Sequence, residues 1–76
     1  MDFGKNLKRL RTERNLSQAD VAQAVGIYQS MISAIENGER RPSFTTAMAI
    51  AAFLNVTVDE MSRDHETAIP APADAA

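Results

Sequence analysis

Apolar residues recur along the chain at helical intervals, and polar residues or glycine break the pattern into short pieces. Phe3, Leu7 and Leu10 fall on one stripe, with Lys5, Lys8 and Arg9 turned away from it. The pattern predicts a first helix from about residue 2 or 3 to residue 13 or 14, closed by Asn15, which tolerates the left-handed conformation. Ser17 stands where an N-cap belongs. Asp20, three residues on, completes a capping box with Asp in place of the commoner Glu or Gln. A second helix is expected over residues 18–25 and a third over about 29–37, stopped by Gly38. Val21, Val25, Ile27, Ile32 and Ile35 place apolar positions on both sides of Gly26, the spacing of two short helices crossing at a sharp turn. Ala22 is small where the two come closest, and Gly26 can take the positive φ that leaves a helix and turns at once. With Ile32 and Ile35 inward, Ser30, Ser33, Ala34 and Asn37 face out, and Gln29 lies on the edge.

Residues 39–43 read as a short polar loop. Pro42 and Ser43 prepare a fourth helix over about 44–54, with Ala47, Ile50, Ala51 and Leu54 on its inner face. Asn55 ends it where glycine is commoner, and Thr57 with Glu60 forms a second capping box for a short fifth helix through about Ser62. From His65 the helical period is lost, and prolines stand at 70 and 72 among small residues. Such a segment buries too little to offset its ordering entropy. The expected organisation is an all-α domain of five helices over residues 1–64 and a disordered tail over 65–76.

The full length of 76 residues allows one small, marginal core, to which dimerisation would naturally add buried area. The net charge of −2 argues at first against nucleic acid, but the charges are unevenly placed. Residues 1–44 hold seven Lys or Arg against five Asp or Glu, whereas residues 45–76 hold one against five. The base-rich half is the one containing the two crossed helices, as an oriented DNA-binding surface requires. Catalysis finds no support: there is no cysteine, a single histidine, His65, and no glycine-rich phosphate loop. The adjacent Asp59 and Glu60 read as acids favoured by a helix start. No cofactor or metal is expected. No apolar run approaches the ~20 residues of a membrane span and no signal-peptide pattern opens the chain, so a cytoplasmic location is expected.

The segment QADVAQAVGIYQSMISAIEN resembles the helix-turn-helix of the lambda-repressor/Cro-like (XRE-type) family of DNA-binding proteins. LKRLRTERNLSQ before it, IENGERRPS at its end and Val-Thr-Val-Asp-Glu beyond extend the likeness from about Leu7 to Met61. The resemblance implies a compact lambda-repressor-like domain and sequence-specific binding of double-stranded DNA by a homodimer. The expected role is that of a transcriptional regulator, more specifically a repressor occupying a palindromic operator. Two other readings stay open: an antitoxin or restriction-modification controller-type autoregulator, and a protein-interaction module that keeps the fold without DNA. No small-molecule ligand is indicated.

The residues divide by role. The first turn of a recognition helix points into the major groove, which makes Gln29, Ser30, Ser33 and Ala34 the candidates for reading bases. Glutamine can bond bidentately to adenine, alanine can only touch a thymine methyl, and no arginine on this face reads guanine. Gln18, in the first turn of the second helix, is placed to meet a phosphate beside exposed backbone N–H groups. The resemblance adds phosphate contacts at Asn37, Arg40 and Arg41, and a partly buried ion pair between Arg11 and Glu36. It also puts the dimer contact on the fifth helix, at Val58 and Met61. Tyr28 departs from the family, which usually has a small hydroxyl residue there; its phenol cannot cap the third helix and is assigned to the DNA backbone.

Overall fold

A computed structural model describes residues 3–63. Five helices follow in order: α1, Phe3–Glu13; α2, Gln18–Val25; α3, Gln29–Glu36; α4, Phe44–Leu54; and α5, Val58–Ser62. There is no strand among the described residues. The tail expected over 65–76 lies outside them.

Local chemistry sets these limits. Asn15 leaves α1 with φ 58°, and Asn55 leaves α4 with φ 61°. Gly26 closes α2 with φ 79°, and its N–H bonds to the Ala22 carbonyl. Ser17, Ser43 and Thr57 each accept an N–H from three residues ahead, opening α2, α4 and α5. Tyr28 opens α3 without any side-chain hydrogen bond, as its size dictates. The element limits expected from the sequence are those observed, to within a residue or two.

α2 packs on α3 and on α4, while α1 lies against α3 and α5. Leu7, Val21, Ile32, Ile50, Leu54 and Met61 are fully enclosed at the centre. Each large aliphatic chain there contributes on the order of 1.5–3 kcal/mol through burial. Ala22 is buried between α2 and its neighbours, so its small side chain permits the close approach that the sequence implied.

One polar residue joins this core. Asn6 is 1% exposed. Its Nδ2 donates to the carbonyls of Met61 at 2.6 Å and Arg63 at 2.8 Å, with a longer contact to Glu60 at 3.4 Å. The Met61 carbonyl is among those that the end of α5 would otherwise leave without partners, so Asn6 ties the first helix to the last. Arg14 does the same for α4, its guanidinium donating to the Leu54 carbonyl.

The two capping boxes make the fold sensitive to acid. The Ser17 N–H donates to Asp20 at 2.8 Å and the Thr57 N–H to Glu60 at 2.8 Å. Those backbone bonds first, and the cap hydroxyls second, hold both carboxyls below their ordinary values. The depressed folded values mean that this stabilisation is complete above the unfolded values, about 3.9 for Asp and 4.3 for Glu. It is lost as pH falls through the folded values. Thermal unfolding should therefore be level above about pH 5 and drop below about pH 4, and Asp20→Asn should flatten the drop. An unaltered acid limb in that variant would show that the α2 box does not contribute.

Candidate nucleic-acid interface

Ile32 and Ile35, both buried, fix the rotation of α3 about its axis. That rotation leaves Gln29, Ser30 and Asn37 exposed, with Ser33 and Ala34 half-buried on the same side. The four expected base-reading residues thus share one outward surface, with Gln29 and Ser30 the most accessible of them. Tyr28 precedes them and is 83% exposed.

The orientation of this surface depends on a polar cluster behind it. Arg11 on α1 holds Glu36 at the end of α3 in a two-point pair, Nε to Oε2 at 2.6 Å and Nη2 to Oε1 at 3.0 Å. The same guanidinium donates through Nη1 to the Leu16 carbonyl at 3.0 Å. The Glu36 side chain is only 2% exposed and that of Arg11 15%. The hydrogen bonds that Arg11 donates to Glu36 raise its pKa above the ordinary value, against the opposing effect of burial. The expected ion pair is present, and it clamps α1 to α3.

Gln18 enters the same cluster. Its Nε2 donates to Oε1 of Glu36 at 3.0 Å, a bond the sequence did not suggest. One of the two amide hydrogens is spent in this way, which fixes the side chain at the amino end of α2. Arg11, Gln18 and Glu36 together lock α1, α2 and α3 behind the outward surface of α3. Arg40 and Arg41 lie exposed in the loop after α3, and neither guanidinium pairs with another described residue.

At the far end of the domain one expectation needs correcting. Met61 is 0% exposed and belongs to the core of the protomer. It turns inward against α1 and α4, so its side chain has no surface to offer a second copy. Val58 is half-buried and keeps some accessible surface.

Two residues that shape the interface escaped the sequence reading. Gly4 lets α1 meet the end of α3: a Cβ there would overlap the Ile35 carbonyl oxygen and stand 3.1 Å from the Glu36 Cα. Asn6 was overlooked because it is polar. Its position between Phe3 and Leu7 on the buried stripe was the available signal.

The uncapped start of α3 yields a prediction. Tyr28→Ser should supply the missing cap and stabilise the domain by about 1 kcal/mol. Urea unfolding measures the gain, and a variant no more stable than the parent would mean that the α3 start is already satisfied.

Comparison with known proteins gives a consistent picture. The helix-turn-helix family model HTH_3 matches residues 7–61. The chain is 34% identical over 67 residues to the cryptic phage CTXphi transcriptional repressor RstR of Vibrio cholerae, spanning 88% of this chain and 60% of that one. It is 38% identical over 65 residues to the control protein C.MunI of Mycoplasma sp, spanning 84% and 88% respectively. Among solved structures, SinR of Bacillus subtilis in complex with DNA superposes with a TM-score of 0.73 at 28% identity, covering 78% of this chain and 95% of that one. The chain spans less than two thirds of the length of the first curated relatives it matches.

Proposed function

The chain belongs to the helix-turn-helix family HTH_3, whose members matched here are transcriptional regulators, and from that premise we propose that it binds operator DNA as a homodimer and acts as a repressor. α3 enters the major groove, with Gln29 reading a base and Ser30, Ser33 and Ala34 lying beside it. Gln18, Tyr28, Asn37, Arg40 and Arg41 meet the flanking phosphates. Gln18 does so with the amide hydrogen that Glu36 leaves free. The dimer contact falls to the accessible part of Val58 on α5. The observation that carries this reading is the exposed α3 surface held in place by the partly buried Arg11–Glu36–Gln18 cluster.

A second reading, a controller-type autoregulator acting on its own promoter, is favoured by the match that spans nearly the whole of a control protein. Both readings share the same interface and differ in where the operator lies.

Selection of bound duplexes from random DNA tests the proposal. The wild type should yield a two-fold symmetric motif with half-sites about 10 bp apart. Gln29→Ala should cost about 1–3 kcal/mol at the best site and relax one position in each half-site. Arg41→Ala should weaken all sequences alike and lower the salt slope by about one unit. Identical motifs from wild type and Gln29→Ala would remove Gln29 as the reader. Absence of any salt-dependent duplex binding would leave the interaction-module reading.

A further inference from the structure

α4 carries no charge on any side. Ala47, Ile50, Ala51 and Leu54 are buried in the core, and no Lys, Arg, Asp or Glu occurs between Arg41 and Asp59. Among the described residues four large apolar side chains are exposed, and three of them stand on this helix: Phe44 at 73%, Met48 at 49% and Phe53 at 41%. At helical spacing Met48 lies beside Ala52 and Phe53 beside Ala49, so large and small side chains alternate over one outward patch. A helix apolar on both its inner and its outer side is normally enclosed, and an exposed cluster of this kind marks a contact surface.

Two features point to a second copy of this chain as its cover. In a two-fold contact a patch meets itself, so a charge near the axis would face its own like. All the Lys, Arg, Asp and Glu of the chain fall outside residues 42–58. The other feature is area. A standard interface takes roughly 800 Å² from each partner, and Val58, the dimer contact assigned above, is a single half-buried side chain. α4 has 11 residues and is about 16 Å long and about 10 Å across, so its outer side adds on the order of a few hundred Å².

We propose that a second copy docks on this patch, α4 crossing its counterpart near Ala49, where the small side chain lets the backbones approach. Met48, Ala52 and Phe53 of both copies are then closed between the two helices. The area is below that of a standard interface, so the dimer is weak in solution, with Kd between about 1 µM and about 1 mM. Two half-sites on one duplex hold it together. This contact deepens the homodimer part of the reading above and rests on it.

Sedimentation equilibrium of the full chain across that concentration range, without DNA, tests the contact. The wild type should pass from monomer to dimer and stop there. Met48→Glu and Met48→Lys should each stay monomeric, with urea unfolding close to that of the parent. An equal mixture of the two should dimerise again, because opposite charges then face one another across the axis. Phe53→Gln, which adds no charge, should weaken association by about tenfold. A wild type that stays monomeric throughout would overturn the proposal and leave the patch to a different partner. Met48→Glu dimerising like the parent, or a mixture that stays monomeric, would overturn the pairing of α4 with its counterpart. Should the Met48 variants not fold, Phe53→Gln decides, and unchanged association there overturns the proposal. In a second arm with a selected duplex, Met48→Glu should bind one half-site as the parent does and lose cooperative filling of the other. Dimerisation without any duplex binding would refute the operator reading and leave the α4 contact standing.

Discussion

Glu36→Ala is expected to destabilise the domain by about 3–5 kcal/mol, because it strands a guanidinium built into the fold. Arg11 would lose both of its short bonds to the carboxylate and keep only the Leu16 carbonyl. Gln18 would lose its acceptor at the same time. Of a total stability on the order of 5–15 kcal/mol, that loss brings a small domain close to unfolding. Replacing both charged partners by apolar residues of similar size should recover much of it, since no buried charge is then left unpaired. Urea unfolding of the two single variants and the double variant measures the coupling. A change below about 0.5 kcal/mol for Glu36→Ala would place the pair among surface ion pairs and remove it as the clamp on α3.

Gly4→Ala should destabilise by about 1–3 kcal/mol, against the usual helix preference for alanine of roughly 1 kcal/mol. The added methyl would run into the Ile35 carbonyl oxygen, a backbone atom that cannot rotate aside, and would crowd the Glu36 Cα. α1 must then back away from α3. The movement pulls on the Arg11 clamp from the other side, so duplex affinity should fall together with stability. A stabilised Gly4→Ala would show that the two helices have room to spare, and that the glycine there is only a poor helix former.

Much of this fold is legible in the chain because its stop and start signals are local. Ser17 with Asp20, Thr57 with Glu60, and the asparagines at 15 and 55 act on neighbours within a few positions. Periodicity then turns Ile32 and Ile35 inward, and so turns Gln29 and Ser30 outward. What the chain conceals is polar complementarity across long separations. Asn6 reads as a surface residue until the end of α5 is brought over it, and Gly4 reads as a weak helix residue until the Ile35 carbonyl arrives. Met61 was placed at the dimer contact by family resemblance, and nothing local in a five-residue helix marks its full burial in the protomer core. The Arg11–Glu36 pair was reached through family resemblance, as nothing local distinguishes those two charges from solvated ones.

The bond between Asn6 and the end of α5 also bears on how the protein is made. Its donor and its acceptors are separated by 54 to 57 positions, nearly the length of the domain. At translation rates of roughly 5–20 residues per second, Asn6 is synthesised on the order of 3–11 s before its last acceptor exists. Until then the apolar stripe of α1 has neither α5 nor its polar anchor. The nascent chain consequently cannot complete its core in stages from the amino end, and closure waits for the final helix to clear the ribosome.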